Sequence, residues 1–399
     1  MRQKRRLTEG KAADMNNFTY SIPTVVHFGR GQIKHLRDLS ENGTRVLLVY
    51  GKGSVKKNGI YDRTVSLLKE KNMEIFELPG VEPNPHIQLV RRGVKICRDR
   101  GVEMILAVGG GSTIDCAKLV AAGVCYEGDP WDLMMDSSLI RSALPVYCVL
   151  TLAATGSEMD NSAVISDPSV RRKMDIASDW LKPVMSILDP EYTFSVTPAQ
   201  TAAGAADIMS HIFESYFHNV KGTDVQSHLA EALLKTVIQC APVALREPRN
   251  YDARANLMWC SSLALNGILS YGAEVKWCVH PIEHELSAYY NITHGEGLAI
   301  LTPVWMEYVL SDVTVSRFAA YGRNVWGISP EIPEVQAARL AIAKTGEFFR
   351  ELGLPSSLHE LGIDDRYFDE MAENCLPFCE GCYVPLTLQD IKNIYRKAL

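Results

Sequence analysis

Asp207 and His211 stand four apart in AADIMSHIFESYF, and His280 and His284 stand four apart in CVHPIEHELSAYY, with His294 following in ITHGEG. A spacing of four places both members of a pair on one face of a helix. Imidazoles together with a carboxylate suit a borderline divalent ion such as Zn2+ or Fe2+, whereas Ca2+ and Mg2+ prefer oxygen ligands. Each piece also has an ordinary reading. A histidine on an apolar face is commonly a hydrogen-bonded core residue, and an Asp with a His at i+4 is commonly a surface pair. Four of the ten histidines fall within this one arrangement, which weighs against chance.

Two glycine loops point to a phosphate-bearing ligand. GGGS at 109–112 lies between a strand-like run, EMILAV, and a helix-like one, TIDCAKLV. Its glycines let backbone approach a ligand, and the following helix start offers unpaired N–H groups to a pyrophosphate. The spacing is not the common GxGxxG, and the alternative is a tight turn without a ligand. The second loop is Gly51, Lys52, Gly53 and Ser54, after the run RVLLVYG. A dinucleotide-binding domain usually carries an acidic residue near this strand end to take the ribose hydroxyls. Gly51 stands there instead, with Lys52, Ser54, Lys56 and Lys57 nearby, which leaves room and charge for a 2′-phosphate. NADP(H) is therefore expected over NAD(H), against the plain reading of these lysines as a solvated helix start.

The elements that must hold these residues divide into two halves. Up to about residue 190, short apolar runs (RVLLVYG, MEIFELPG, EMILAVGGG, LPVYCVLTL) alternate with helical stretches. That alternation predicts βαβ units and a mainly parallel, Rossmann-like sheet. Beyond it the pattern is helical almost to the end, entered at Thr197 and Pro198 as cap and first-turn residue. The expected division is an extension at 1–14, an α/β dinucleotide-binding domain at 15–195 and an all-α metal-binding domain at 196–399. The cleft between the two is the expected ligand site.

Composition narrows the function classes. Net charge is −6 over 399 residues, with both signs spread along the chain, so no nucleic-acid partner is expected. No window approaches eighteen consecutive apolar residues, and the basic start MRQKRR has no apolar segment behind it, so neither a membrane span nor a secretory signal is expected. Ten scattered cysteines suit reduced thiols in a cytoplasmic protein. Cys375, Cys379 and Cys382 lie close together but lack a second pair, and read as incidental thiols in a turn.

Taken together, these segments carry a resemblance. FGRG at 28–31, YGKGSVKKNG at 50–59, EPNP at 82–85, GGGSTIDCAK at 109–118, TLAATGSE at 151–158, LDP at 188–190, the helix of Asp207 and His211, and HPIEHELSAYYNITHGEG at 280–297 occur in the order and spacing of one family. From about Met15 to the C-terminus the chain resembles the iron-containing (group III) alcohol dehydrogenases, on the branch of butanol dehydrogenases and NADPH-dependent aldehyde reductases.

The resemblance implies one catalytic Fe2+ or Zn2+ bound by Asp207, His211, His280 and His294, on a dehydroquinate-synthase-like architecture. His284 would lie beside the metal without being a permanent ligand. The proton for the product oxygen is then expected from His284 or from a relay through water and a cofactor ribose hydroxyl, with His284 as a plain packing residue the alternative. Gly109, Gly110, Gly111 and Ser112 would hold the pyrophosphate. Thr151, Leu152 and Thr155 would line the ribose and nicotinamide, Lys173 would reach the ribose, and Asn84 would approach the adenosine side. Asp115 and Lys118 belong to the same cofactor-facing motif. Small to medium aldehydes and primary alcohols are the implied substrates, with Trp277, Tyr289 and Met159 as candidate pocket walls and a homodimer or larger assembly as the implied state.

Two positions depart from the family pattern. The last ligand is flanked as Thr293-His294-Gly295 rather than Pro-His-Gly, and Gly51 replaces the aspartate of NAD-specific relatives, although some relatives with glycine there use NADH. The rival readings are a glycerol- or propanediol-type polyol dehydrogenase of the same superfamily, and a non-catalytic nucleotide- or metal-binding protein.

Overall fold

Strands RVLLVYG and MILAVG are almost wholly buried, as strands covered by helices on both faces must be. In the computed structural model, which describes residues 14–273 and 276–399, they are the middle of a six-stranded sheet. Its members are β1 (Val25–Phe28), β2 (Arg45–Gly51), β3 (Glu74–Val81), β4 (Met104–Gly109), β5 (Val146–Leu150) and β8 (Met185–Leu188), in the order β1-β8-β5-β4-β2-β3. Every pairing in it is parallel. Side chains alternate between faces. Leu47, Val49, Ile105 and Ala107 enter one apolar core, and Val46, Leu48, Leu106 and Val108 enter the other.

The connecting helices are α1 (Ser54–Lys57), α2 (Ile60–Glu70), α3 (Ile87–Arg100), α4 (Gly111–Val124) and α5 (Pro130–Met135). β2 pairs with β3 on one side and β4 on the other, so the strand order reverses there. Gly51 ends β2 and Gly109 ends β4. Both glycine loops therefore flank the reversal, where open α/β sheets take their ligands. The expected extension, residues 1–14, lies outside the described residues except for Asp14, which bridges to Lys221.

One element was not foreseen. β6 (Ser162–Asp167) and β7 (Arg172–Ala177) form a separate antiparallel hairpin. The turn between them, PSVR, carries Arg171 at positive φ. Tied to the sheet domain by Ser166 N donating to Pro85 O, the hairpin brings Lys173 into the cleft.

The remaining helices are α6 (Pro198–Tyr216), α7 (Asp224–Arg246), α8 (Tyr251–Leu265), α9 (Val279–Tyr290), α10 (His294–Val309), α11 (Val315–Trp326), α12 (Glu334–Glu351), α13 (Phe368–Cys379) and α14 (Leu388–Ala398). They share one large apolar core. α6 opens as its sequence predicts: Thr197 Oγ1 accepts from Gln200 N at 3.2 Å and Pro198 occupies the first turn, a cap worth about 1 kcal/mol. No described helix is long and apolar enough to cross a membrane.

Candidate active site at the metal and dinucleotide ends of one cleft

α6 is buried along almost its whole length, and its Asp207, His211 and Glu214 share a face by helical spacing. α10 begins at His294 and is drawn against α6 by glycine. A Cβ on Gly295 would lie 2.1 Å from Ala203 O on α6, and one on Gly204 would lie 2.6 Å from Ala153 O, so a second glycine sets α6 against the 151–155 segment. The residue after His294 is therefore glycine for a packing reason: any side chain would push the histidine away from Asp207.

The result is a convergence on Asp207 Oδ1. His211 Nδ1 lies 3.6 Å away, His294 Nε2 3.8 Å and His280 Nε2 3.9 Å. The His211 and His280 rings stack at 4.6 Å between centroids, and Trp277 packs on His280 at the same separation. Asp207 Oδ1, His211 Nδ1 and His280 Nε2 are buried without any hydrogen-bond partner. Buried polar atoms are rarely left unpaired, and three in one place amount to a site that a divalent cation would complete. Asp207, His280 and His294 present ligand atoms within 4.8 Å of one another, while His211 joins them through Asp207.

Electrostatics agree with that reading. Burial alone would push the Asp207 carboxyl up, but His211, His280 and His294 outweigh it and hold the group below the usual carboxylate range. Burial also penalises a charged His280, yet the Asp207 carboxylate facing its Nε2 and the Glu214 carboxylate bonded to its Nδ1 hold its pKa up at about 9. The anionic surroundings that would keep a proton there would equally favour a cation. Burial lowers His211 to about 4. Burial, followed by the ammonium of Lys173, puts His284 and His294 well below the ordinary histidine value. A second convergence, Glu283 with His284 and His294, has Lys173 Nζ 3.6 Å from Glu283 Oε2, so a positive charge already sits there. No cysteine belongs to either group, and Cys375, Cys379 and Cys382 are free and buried.

The end expected to take the dinucleotide is built from backbone. α4 starts at Gly111 with Gly110 as its cap residue and no side-chain cap, leaving its first N–H groups turned to the cleft. A Cβ on Gly111 would lie 2.1 Å from Thr155 Oγ1, and one on Gly110 3.1 Å from Leu152 Cβ. These glycines thus permit the contact between the loop and the 151–155 segment, whose Thr151 N donates to Gly109 O. Ser112 Oγ donates to Pro83 O, and Asn84 Nδ2 donates to Asn291 Oδ1 at 2.9 Å, linking the α3 approach to the turn between α9 and α10.

One cavity of about 1040 Å³ joins the ends: Ser112 and Asn84 line one side, Leu152 and Thr155 the middle, His211 and His280 the other. Asp115, Lys173, Asp207, His284 and His294 also line it, as do Trp277 and Met159. Gly51, Gly53 and Ser54 lie outside this lining, at the end of β2, where Lys52 Nζ pairs with Glu82 Oε1 at 2.7 Å.

Some expected positions have other work. Lys118 is fully buried away from the cavity, its Nζ on Asp160 Oδ1 at 2.5 Å and Ser162 O at 2.8 Å. Asp115 lines the cavity but also accepts from Ser157 Oγ at 2.6 Å and Val164 N at 3.2 Å. Tyr289 is no cavity wall; it packs on Tyr367 and accepts from Asn374. Sequence reasoning missed Glu214, which accepts from His280 Nδ1 at 3.1 Å, and Glu283, which is hydrogen-bonded to His294 Nδ1. The signals were there: Glu214 is seven residues after Asp207 on the same face, and Glu283 adjoins His284.

Comparison with known proteins places this geometry. Residues 23–190 match the family model for iron-containing alcohol dehydrogenase, and residues 201–399 match the C-terminal model of the same family. The chain belongs to the iron-containing alcohol dehydrogenase family. It is 52% identical over 388 residues to the NADH-dependent butanol dehydrogenase A of Clostridium acetobutylicum, covering 96% of this chain and 100% of the relative. With the NADPH-dependent aldehyde reductase YqhD of Escherichia coli it shares 40% identity over 354 residues, 88% of this chain and 90% of that one. The crystal structure of NADH-dependent butanol dehydrogenase A from Thermotoga maritima superposes with a TM-score of 0.92 at 36% identity, covering 97% and 99% of the two chains. The chain is a metal-dependent, NAD(P)-dependent alcohol dehydrogenase, and its reaction is alcohol/aldehyde oxidoreduction.

Proposed function

We propose that the enzyme works as a reductase of small to medium aldehydes, with residues 15–195 holding the cofactor and 196–399 the metal. The observation that carries this is the three unpartnered buried atoms of Asp207, His211 and His280 at the floor of a cavity shared with the uncapped start of α4. Asp207, His211, His280 and His294 would hold Fe2+ or Zn2+, which supplies Lewis-acid polarisation of a carbonyl oxygen. A bound nicotinamide supplies the hydride.

The remaining work falls to this chain's residues. The α4 N-terminus binds the pyrophosphate, and Leu152 and Thr155 orient the cofactor toward the histidines. Trp277 and Met159 exclude water beside them and give an aliphatic chain an apolar wall. His284 lies in the same cavity as a neutral imidazole, its pKa held down by burial and Lys173. It therefore holds no spare proton and acts as a relay, one ring nitrogen giving its proton to the product oxygen while the other takes one from water entering the cavity.

Cofactor choice turns on the end of β2. Gly51 presents no carboxylate to the ribose, which favours NADPH, while the Lys52 ammonium is already paired with Glu82 and the relatives above carry both NADH- and NADPH-dependent names. We propose that NADPH is preferred when Lys52 turns from Glu82 to the 2′-phosphate, with NADH accepted. Self-association through the edge strand β1, where Val25 and Phe28 are exposed, gives a dimer readable by light scattering. The deciding assay is NADPH and NADH oxidation with butanal after metal removal and anaerobic reloading with Fe2+ or Zn2+. Turnover that requires metal supports the proposal, and equal turnover by the stripped protein overturns it.

A further inference from the structure

Two of the histidines around Asp207 have a partner that the third lacks. His280 Nδ1 bonds Glu214 Oε1 at 3.1 Å and its Nε2 faces Asp207; His294 Nδ1 bonds Glu283 Oε2 and its Nε2 faces Asp207. His211 instead turns Nδ1 to Asp207, and that atom has no hydrogen-bond partner. Both carboxylates are buried, Glu283 fully. We infer that Glu214 and Glu283 are positioning residues, which fix the rings of His280 and His294 so that each presents Nε2 to the metal. The inference rests on the metal site proposed above.

Each carboxylate is itself immobilised. Glu214, on α6, also accepts from the backbone N–H groups of Cys278 and Val279 at 2.9 Å and of His280 at 3.0 Å. It thereby caps α9, whose own cap residue offers no side-chain bond, and sets the helix and its first ligand in one stroke. Glu283, on α9, accepts from Ser287 Oγ at 2.6 Å and lies 3.6 Å from Lys173 Nζ. A Cβ on Gly297 would come within 2.7 Å of its Cγ. Glu283 thus sits between three elements, α9, α10 and the β6–β7 hairpin. Lys173 serves it as counter-ion and also lies 3.4 Å from His294 Nδ1, so the β6–β7 hairpin meets the metal end at this carboxylate and at the imidazole it holds. A carboxylate on the far nitrogen of a ligating histidine fixes its tautomer and orientation, and losing it typically weakens metal binding.

The test uses Co2+ in place of the native ion, with affinity from chelator competition and geometry from the visible d–d spectrum. Wild type, Glu214→Gln, Glu283→Gln and Glu283→Ala are compared, each with the melting temperature of its metal-free form. We expect Glu283→Ala to bind Co2+ about 10- to 100-fold more weakly, with shifted d–d bands. Glu214→Gln should do the same, because one amide oxygen cannot serve both the His280 ring and the three backbone N–H groups that two carboxylate oxygens now hold. Glu283→Gln keeps an acceptor for His294 Nδ1 and should recover most of the loss. Wild-type affinity and spectrum in Glu283→Ala overturn the inference. So does a loss that Gln fails to recover while the bands stay unshifted. Because Glu214 also caps a helix, a Glu214→Gln protein that does not fold leaves the decision to the Glu283 pair, which makes no backbone bond. Failure of the wild type to bind Co2+ at all would instead overturn the metal site.

Discussion

The two ends of the cleft are built from different materials. The end proposed to hold the metal is made of side chains, Asp207, His211, His280 and His294, beside further side chains, Glu214 and Glu283. The end proposed to hold the dinucleotide is made of backbone, where glycines at 109–111 bring a helix start against Thr155 and Leu152. A side-chain site fails by loss of a particular atom, whereas a backbone site fails by gain of one. The same molecule should therefore respond to opposite kinds of substitution at opposite ends.

The largest effect is expected from His280→Ala. It removes the Nε2 that faces Asp207 and leaves Glu214 Oε1 without its imidazole. Lewis-acid stabilisation is worth several kcal/mol, so kcat/KM should fall on the order of 10³-fold, with metal content near zero by elemental analysis and dinucleotide binding kept. Loss of dinucleotide binding as well would show that the two ends are not separate. Gly111→Ala is the converse. Its methyl would stand 2.1 Å from Thr155 Oγ1, so α4 or the 151–155 segment must shift. The Kd for NADPH should rise by about tenfold, one charge-assisted phosphate contact in energy, with Co2+ affinity unchanged. An unaltered Kd would remove α4 from the cofactor site.

The difference in materials also decides what could be read beforehand. Residue type and helical spacing show in a sequence, so Asp207 with His211 and His280 with His284 stood out, and Thr197-Pro198 marked the start of α6. Three-dimensional partners do not show. Glu214 lies at i+7 on the helix of Asp207, but an acidic residue on a helix is ordinary until His280 is seen beside it. Lys118 sits in the cofactor motif by position, yet two helical turns beyond the glycine loop its side chain runs inward to Asp160. The β6–β7 hairpin escaped notice because its six-residue strands are only partly buried and alternate weakly. The parallel sheet was legible for the opposite reason: strands buried on both faces read as unbroken apolar runs.

Cofactor preference tests the backbone end more gently. A Cβ on Gly51 would meet only Val81 O, at 3.5 Å, so Gly51→Asp fits without strain. Its carboxylate would accept from the ribose hydroxyls and repel a 2′-phosphate. The KM for NADPH should rise about tenfold relative to that for NADH, one to two kcal/mol of electrostatics near the surface. An unchanged ratio of the two would take Gly51 out of cofactor selection and leave Lys52 and Glu82 as the deciding pair.

The smallest effect belongs to the strut between the ends. Burial, against the opposing charge of Lys118, pushes the Asp115 carboxyl from 3.8 up to about 7. The folded protein then holds a proton on Asp115 between about pH 4 and 7 that the unfolded chain has released. Stability falls with rising pH wherever the folded state binds more protons. This carboxyl therefore contributes a decline across that window and no further slope above it. Glu158, pushed to about 7 by its own burial, adds a decline of the same sign. Asp115→Asn keeps an acceptor for Ser157 Oγ and has no proton to release. Urea unfolding at a series of pH values should give the variant a shallower fall between pH 5 and 7 than the wild type, by less than one proton's worth. Parallel curves would mean that Asp115 stays ionised in the fold, held by Ser157, Val164 N and Lys118 against the cost of burial.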